Sequence, residues 1–300
     1  MKQKKSALVL SQKMIAPGIF DLWLKTDLAY YAHAGQFIGV YPKDKSTLLP
    51  RPISICEVSD TFDALRLVYR VAGKGTDEFS KLKENDTVDI LGILGNGYMF
   101  EEIFDEKFLS ACQSAKGSGH QSSAADGCLQ KTNDVRSSLA GSDHLNVVLM
   151  GGGIGIPPML ELAKELRAHN IDATVIAGYR DANLFLNLDL AKYQHLEVAT
   201  EDGSVGVKGN VLNVVAEKDI QPDVIMACGP MPMLRAIKRY TEDCNRNVKA
   251  YISLEERMAC GVGACLGCVC KTTKVDHHSH VNNARICTDG PVFDADDVEI

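Results

Sequence analysis

Residues 147–158 run Val147-Val148-Leu149-Met150-Gly151-Gly152-Gly153-Ile154-Gly155-Ile156-Pro157-Pro158. Four apolar residues without alternation mark a strand buried on both faces of a parallel sheet. The glycines end that strand. Residues 159–169 then take a helical period, with Leu160, Ala163 and Leu166 on one face and Glu161, Lys164, Glu165 and Arg167 elsewhere. Strand, glycine turn and helix together predict a βαβ unit. Further strands are expected at 173–179, 196–200, 224–227 and 249–253, with helices at about 209–216 and 231–245. In such a sheet the strand ends bearing 151–155 and Cys228-Gly229-Pro230 fall along the carboxyl edge, where ligands bind.

The loop departs from the dinucleotide fingerprint. Gly153-x-Gly155-x-x-Pro158 carries proline in place of the third glycine, and the acidic ribose partner is ambiguous between Asp172 and Asp181. Its bare N–H groups at a helix start still suit a pyrophosphate. The plainer alternative is a tight strand–helix turn.

Upstream, residues 7–100 read as β-rich. Short apolar or alternating runs at 7–14, 19–25, 36–41, 53–58, 65–71 and 87–91 are separated by turn signals such as Pro17-Gly18 and Glu84-Asn85-Asp86. Six strands of this kind predict a small closed antiparallel barrel, which removes sheet edges. Two segments in it look chemical. Arg51-Pro52-Ile53-Ser54 sets a guanidinium and a rigid φ before a strand, then a hydroxyl on it. Gly73-Lys74-Gly75-Thr76 precedes a helical pattern at 77–82, so its N–H groups could meet an anion. Each is also a common strand entry or turn, and neither decides anything alone. Between 101 and 145 the pattern breaks. The small, polar, glycine-rich residues 112–143 read as a flexible insertion, in which Cys112 and Cys128 have no evident partner.

Downstream, Cys260, Cys265 and Cys268 stand in a C-x4-C-x2-C run. That spacing is the one plant-type [2Fe–2S] sites use, with a fourth cysteine further on. Cys287 is the natural fourth ligand. Cys270, one residue beyond Cys268, has little room to reach a second iron. Gly261, Gly263 and Gly267 supply left-handed positions and bare N–H groups that can point at sulfur. Zinc is the alternative, since Cys265-x2-Cys268 is half of a zinc pair and His277, His278 and His280 lie near. Unligated thiols are the third.

At 300 residues and 45% apolar, the chain has material for two domains and a small appendage. A net charge of −7 argues against nucleic acid as a partner, because phosphate neutralisation needs a basic face. There is no apolar run of about 18 residues to span a membrane. The apolar stretch after Met1-Lys-Gln-Lys-Lys is too short for a signal peptide. Ten cysteines, half of them crowded near one end, do not form a secreted disulfide pattern. A reducing compartment, most simply the cytoplasm, is expected.

Taken in order, Arg51-Pro52-Ile53-Ser54, Gly73-Lys74-Gly75-Thr76, the 151–158 loop and Cys228-Gly229-Pro230 resemble the ferredoxin–NADP reductase superfamily. The cysteine segment 256–270, closed by Arg285-Ile286-Cys287-Thr288-Asp289-Gly290-Pro291-Val292-Phe293, more narrowly resembles the electron-transfer subunits of NAD-using dihydroorotate dehydrogenases. The resemblance implies an FAD-binding barrel over 1–101, an inserted linker over 102–144, an NAD-binding βαβ domain over 145–250 and a [2Fe–2S] appendage over 251–300. Arg51 with Pro52 and Ile53 would hold FAD through its phosphates, and Ser54 would lie near the flavin. Val68, Tyr69 and Arg70 would line the flavin, and Gly75 with Thr76 would take the pyrophosphate. Gly151, Gly152, Gly153 and Gly155 would cradle NAD, with Cys228 at the hydride-transfer locus. Cys260, Cys265, Cys268 and Cys287 would ligate the cluster.

A nicotinamide exchanges only hydride, whereas a cluster passes single electrons; a flavin does both and must stand between them. The implied function is therefore electron transfer from a dihydroorotate-oxidising, FMN-containing catalytic subunit to NAD+ in pyrimidine synthesis, within a heterotetramer. The competing expectations are a reductase passing electrons to ferredoxin or sulfide, and a regulatory module with a zinc-stapled tail.

Overall fold

The computed structural model describes residues 3–104, 145–244, 247–275 and 280–300. Nearly all of the expected insertion, with Cys112 and Cys128, lies outside the described residues, as do His277 and His278.

Strands β1 (Gln3–Ala16), β2 (Ile19–Lys25), β3 (Phe37–Tyr41), β4 (Arg51–Val58), β5 (Ala64–Arg70) and β6 (Thr87–Leu94) close into a barrel in the order β1-β2-β5-β4-β3-β6. All its pairings are antiparallel. Pro17-Gly18 forms the β1–β2 hairpin, with Gly18 at φ 69°. Alternation buries one side of each strand, so Leu22, Leu24, Ile38, Ile55, Leu65, Leu67 and Ile90 fill the barrel core. Each contributes about 1.5–3 kcal/mol through burial. A short helix, α1 (Lys74–Phe79), follows β5 and plugs one side of this core with Phe79. A single turn, α2 (Phe100–Ile103), leads out of the barrel.

The second unit is a seven-stranded sheet. Its members are β7 (Val147–Gly152), β8 (Ala173–Tyr179), β9 (His195–Thr200), β10 (Val207–Lys208), β11 (Val224–Cys228), β12 (Lys249–Ser253) and β15 (Val292–Asp294). Their order is β10-β9-β8-β7-β11-β12-β15. Helices α3 (Pro158–Ala168), α4 (Asn187–Leu190), α5 (Val211–Glu217) and α6 (Met231–Asp243) connect the strands. Every residue of β7 and β11 is buried, as strands covered on both faces must be. The chain runs outward from β7 through β10 on one side, then crosses back to build β11 and β12 on the other. The gap between the carboxyl ends of β7 and β11 is thus the topological switch point, where α/β sheets bind ligands.

The C-terminal tail is only partly separate. β13 (Val269–Thr272), β14 (Asn283–Arg285) and β16 (Val298–Glu299) make a small sheet, whereas β15 joins the large sheet antiparallel to β12. Lys238 of α6 donates to the carbonyls of Ala295 and Val298, each at 2.7 Å, and pins the tail down.

Two polar ties cross between barrel and sheet. Arg66 on β5, 7% exposed, donates to both oxygens of Asp21, to Glu57 and to Asp189 of α4, all within 3.1 Å. Burial of a charge is tolerable only with such pairing. The second tie runs through α3, which packs more extensively on β4 than on any strand of its own sheet.

Candidate functional site

A cavity of about 800 Å³ opens where barrel, glycine loop and tail meet. The barrel side is built from Arg51, Pro52, Ile53 and Ser54 of β4 and from Val68, Tyr69 and Arg70 of β5, with Thr76 of α1. Adjacent antiparallel strands bring these two runs side by side although sixteen positions or so separate them in sequence. Gly75 lies beneath Arg51: a Cβ there would stand 2.7 Å from Nε and 3.0 Å from Cζ. Only glycine lets the guanidinium lie across the start of α1. Among the described residues neither Arg51 nor Arg70 forms an ion pair, so two cations face the cavity, a fit for a phosphate-bearing cofactor such as FAD.

Thr76 acts locally. Its hydroxyl accepts the N–H of Ala72 at 2.9 Å and of Gly73 at 3.1 Å, fixing the turn into α1. Tyr69 is anchored by Gln12. The phenol donates to Gln12 Oε1 at 3.0 Å, and Gln12 Nε2 donates to the carbonyls of Phe79 and Leu82 at the end of α1.

The glycine loop closes another side, reaching the cavity through Ile154. Gly151, Gly152 and Gly155 are close-approach positions. A Cβ at Gly155 would meet the Cys228 carbonyl oxygen, and one at Gly152 would lie 2.6 Å from the Met233 sulfur. Gly153 differs: its φ is 54° and nothing stands within 4 Å of where a Cβ would be. The loop is therefore packed onto the β11 end with one open, left-handed residue at its tip, a shape a pyrophosphate can approach. Of the two acidic candidates for a ribose, Asp181 follows the carboxyl end of β8, whereas Asp172 precedes β8 and pairs with Arg167 at 2.8 Å.

Cys228 is buried and sits in register between Gly151 and Ser253. Burial pushes its thiol up to about 12, with Glu255 reinforcing the shift and Ser253 opposing it. At neutral pH it is a neutral S–H at the junction of the loop and the cavity wall, which Ser253 and Glu255 help to line. Burial likewise raises the Glu255 carboxyl, against the pull of Arg70.

The cysteines come together in pairs. Cys260 contacts Cys265, and Cys287 contacts Cys268. The Val262 N–H donates to the Cys260 sulfur at 3.4 Å and is the main cause of its thiol falling to about 6. Cys287 is buried and raised to about 11 by desolvation and by Cys268. Gly261 and Gly263 have φ of 67° and 84°, wrapping the loop as expected. Arg285 pairs with Asp289 at 3.1 Å and holds the turn beside Cys287. Among the described residues no three His, Cys, Asp or Glu side chains converge as one metal ion would need. Two thiol pairs instead suit a dinuclear cluster, in which each iron takes two. Cys270 lies on β13, opposite Ala284, half-buried.

Among the wall residues that the sequence did not single out as site residues are Glu255, Met258 and Ile286. Met258 precedes Cys260 by two positions and Ile286 adjoins Cys287. The cysteine segments thus form part of the cavity wall, a proximity that only the folded tail creates. The signal that could have found them is their covalent closeness to the cysteines.

The chain is similar to known proteins. Residues 255–299 match the family model described as the iron-sulfur cluster binding domain of dihydroorotate dehydrogenase B. The chain is 36% identical to the "Dihydroorotate dehydrogenase B (NAD(+)), electron transfer subunit" of Listeria welshimeri, over 97% of each chain. It is 35% identical to the protein of that name from Streptococcus pneumoniae, over 95% of this chain and 94% of that one. Its fold is similar to a chain of the NADH-dependent reduced ferredoxin-NADP oxidoreductase, with a TM-score of 0.75 at 24% identity, covering 98% of this chain and 89% of the other.

Proposed function

The chain belongs to the family of electron transfer subunits of NAD-linked dihydroorotate dehydrogenase B, and on that premise we propose that it carries electrons from a dihydroorotate-oxidising catalytic subunit to NAD+. Its cofactors are FAD, a [2Fe–2S] cluster and NAD. The observation that carries this reading is the shared wall: Met258 and Ile286, flanking the cysteines, line the same cavity as Arg51, Ser54 and Arg70. When bound, FAD exchanges hydride with the nicotinamide and single electrons with the cluster.

The chain's own residues bind and orient. Arg51, seated over Gly75, holds the FAD phosphates, and Val68, Tyr69 and Arg70 line the flavin. Gly153 at the loop tip admits the dinucleotide, with Gly155 allowing the close approach of β11, Gly152 that of α6 and Gly151 that of the turn into α3. Cys228 and Ser253, neutral and adjacent in register, give the hydride locus a dry polar edge. Cys260, Cys265, Cys268 and Cys287 would hold the cluster. On this reading the barrel, the sheet and the tail are respectively the FAD, NAD and cluster modules.

The catalytic partner carries FMN, and two copies of each chain make a heterotetramer in the cytoplasm. No helix among the described residues is long and apolar enough to cross a membrane. Anaerobic purification followed by flavin, iron and zinc determination tests the cofactor set. One FAD and two irons per chain are expected; a colourless zinc protein would overturn it.

A further inference from the structure

The face of α3 that carries Glu161, Lys164 and Glu165 does not point to solvent. Helical spacing puts the three on one side, and the barrel lies against them. Glu161 Oε2 accepts the N–H of Val58 at 2.7 Å, and Lys164 Nζ donates to the carbonyl of the same residue at 2.8 Å while pairing with Asp60 at 2.6 Å. One turn on, Glu165 Oε1 accepts the N–H of Ala34 at 2.9 Å. Glu161 is 5% exposed and Val58 2%, so water does not compete for the bond between them.

The placement of the two elements gives these bonds a consequence. β4 begins at Arg51, in the flavin segment, and ends at Val58, in the grip of α3. α3 begins three residues beyond Gly155 of the dinucleotide loop, and Glu161 and Glu165 lie along it. A rigid strand and a rigid helix, each with a ligand-binding segment at its amino end, are thus joined through their later residues. We infer that Glu161 and Glu165 are positioning residues for hydride transfer: by clasping the carboxyl end of β4 and the Ala34 turn, they fix the separation of the nicotinamide-binding loop from the flavin-binding strand. This rests on the electron-transfer reading above. Hydride passes only over a short, aligned gap, and a displacement of about 1 Å can cost about 100-fold in rate.

A backbone N–H needs only an oxygen acceptor, so an amide replaces the carboxyl without loosening the clasp. The test uses the complete chain loaded with FAD and cluster, mixed anaerobically with NADH while flavin bleaching is followed. In Glu161→Ala/Glu165→Ala the bleaching rate should fall about tenfold or more, NADH affinity should hold within about threefold, and hydrogen exchange at the Val58 and Ala34 amides should accelerate. Glu161→Gln/Glu165→Gln should recover both rate and amide protection. An alanine variant as fast as the parent, or a glutamine variant as slow as the alanine one, would overturn the inference. If the double alanine variant fails to retain FAD, Glu165→Ala and Lys164→Met singly are measured in its place, and unchanged rates in both overturn it. A parent chain whose flavin NADH cannot bleach would refute the functional reading instead, a distinguishable result.

Discussion

Arg51 lies across the α-carbon of Gly75, so closely that a β-carbon there would sit 2.7 Å from its Nε. The crowding atoms belong to the far end of a flexible side chain. Gly75→Ala should therefore push the guanidinium aside at little cost in folding. A charge-assisted hydrogen bond is worth about 1.5–3 kcal/mol, so FAD affinity should fall about 10- to 100-fold. Arg51→Ala should do the same while the nucleotide sheet stays folded. Flavin titration of the apo chain, with thermal melts alongside, decides it; full FAD affinity in both variants would remove Arg51 from the site.

Two glycines of the same loop should respond to different degrees. At Gly155 a methyl group would collide with the Cys228 backbone, which cannot move without parting β7 from β11. Gly155→Ala should cost about 3 kcal/mol or more and abolish NAD binding. At Gly153 the space is open and only the left-handed φ is strained, a cost of about 1–2 kcal/mol. Urea unfolding of the two variants should rank them in that order, and equal costs would contradict the packing described.

Cluster ligation separates the five clustered cysteines. Cys287→Ser should lose iron and visible absorbance, because it breaks one of the two thiol pairs. Cys270→Ser should retain both, since Cys270 belongs to strand β13, paired with Ala284, and to neither thiol pair. Iron loss in the Cys270 variant alone would reverse the assignment.

Stability should fall as pH rises through the range in which the α3 carboxyls titrate. Burial raises Glu161 to about 7 and Glu165 to about 8, from an ordinary 4.5. Glu57 and Asp60 push Glu161 further up, and Glu161 does the same to Glu165; Lys164 opposes both shifts, and His33 stands 4.0 Å from Glu165. Between about pH 5 and 8 the folded chain keeps protons that the unfolded chain has released, so the sign is a loss of stability with rising pH. The size is on the order of a few kcal/mol. Urea midpoints at pH 6 and 9 measure it. Glu161→Gln/Glu165→Gln should flatten the slope, and an equally steep slope in that variant would place the titration elsewhere.

The barrel and the parallel sheet were legible because periodicity reports local burial. The predicted bounds of β2, β8 and β12 coincide with the observed ones. α1 begins at Lys74, earlier than the expected 77, because the Thr76 hydroxyl fixes the turn before it. α4 follows Leu186 at φ 63°, a conformation nothing in Leu-Phe-Leu-Asn announces. β15 was expected in a separate appendage, yet it pairs with β12, a long-range choice that three residues cannot signal. Gln12 behind Tyr69, Glu255 beside Arg70 and the barrel-facing side of α3 were illegible for the same reason. Off the apolar stripe of a helix, charged residues read as solvated unless a second domain covers them.

On the proposed function this chain should move electrons without itself oxidising dihydroorotate, and one assay distinguishes the two. The isolated chain, fully loaded with FAD and cluster, is given dihydroorotate and NAD+ under anaerobic conditions, with and without an FMN-bearing dihydroorotate dehydrogenase subunit. Alone it should oxidise NADH with artificial acceptors yet form no NADH from dihydroorotate, and joined to the partner it should form NADH. Dihydroorotate-dependent NAD+ reduction by the chain alone would contradict the proposed function.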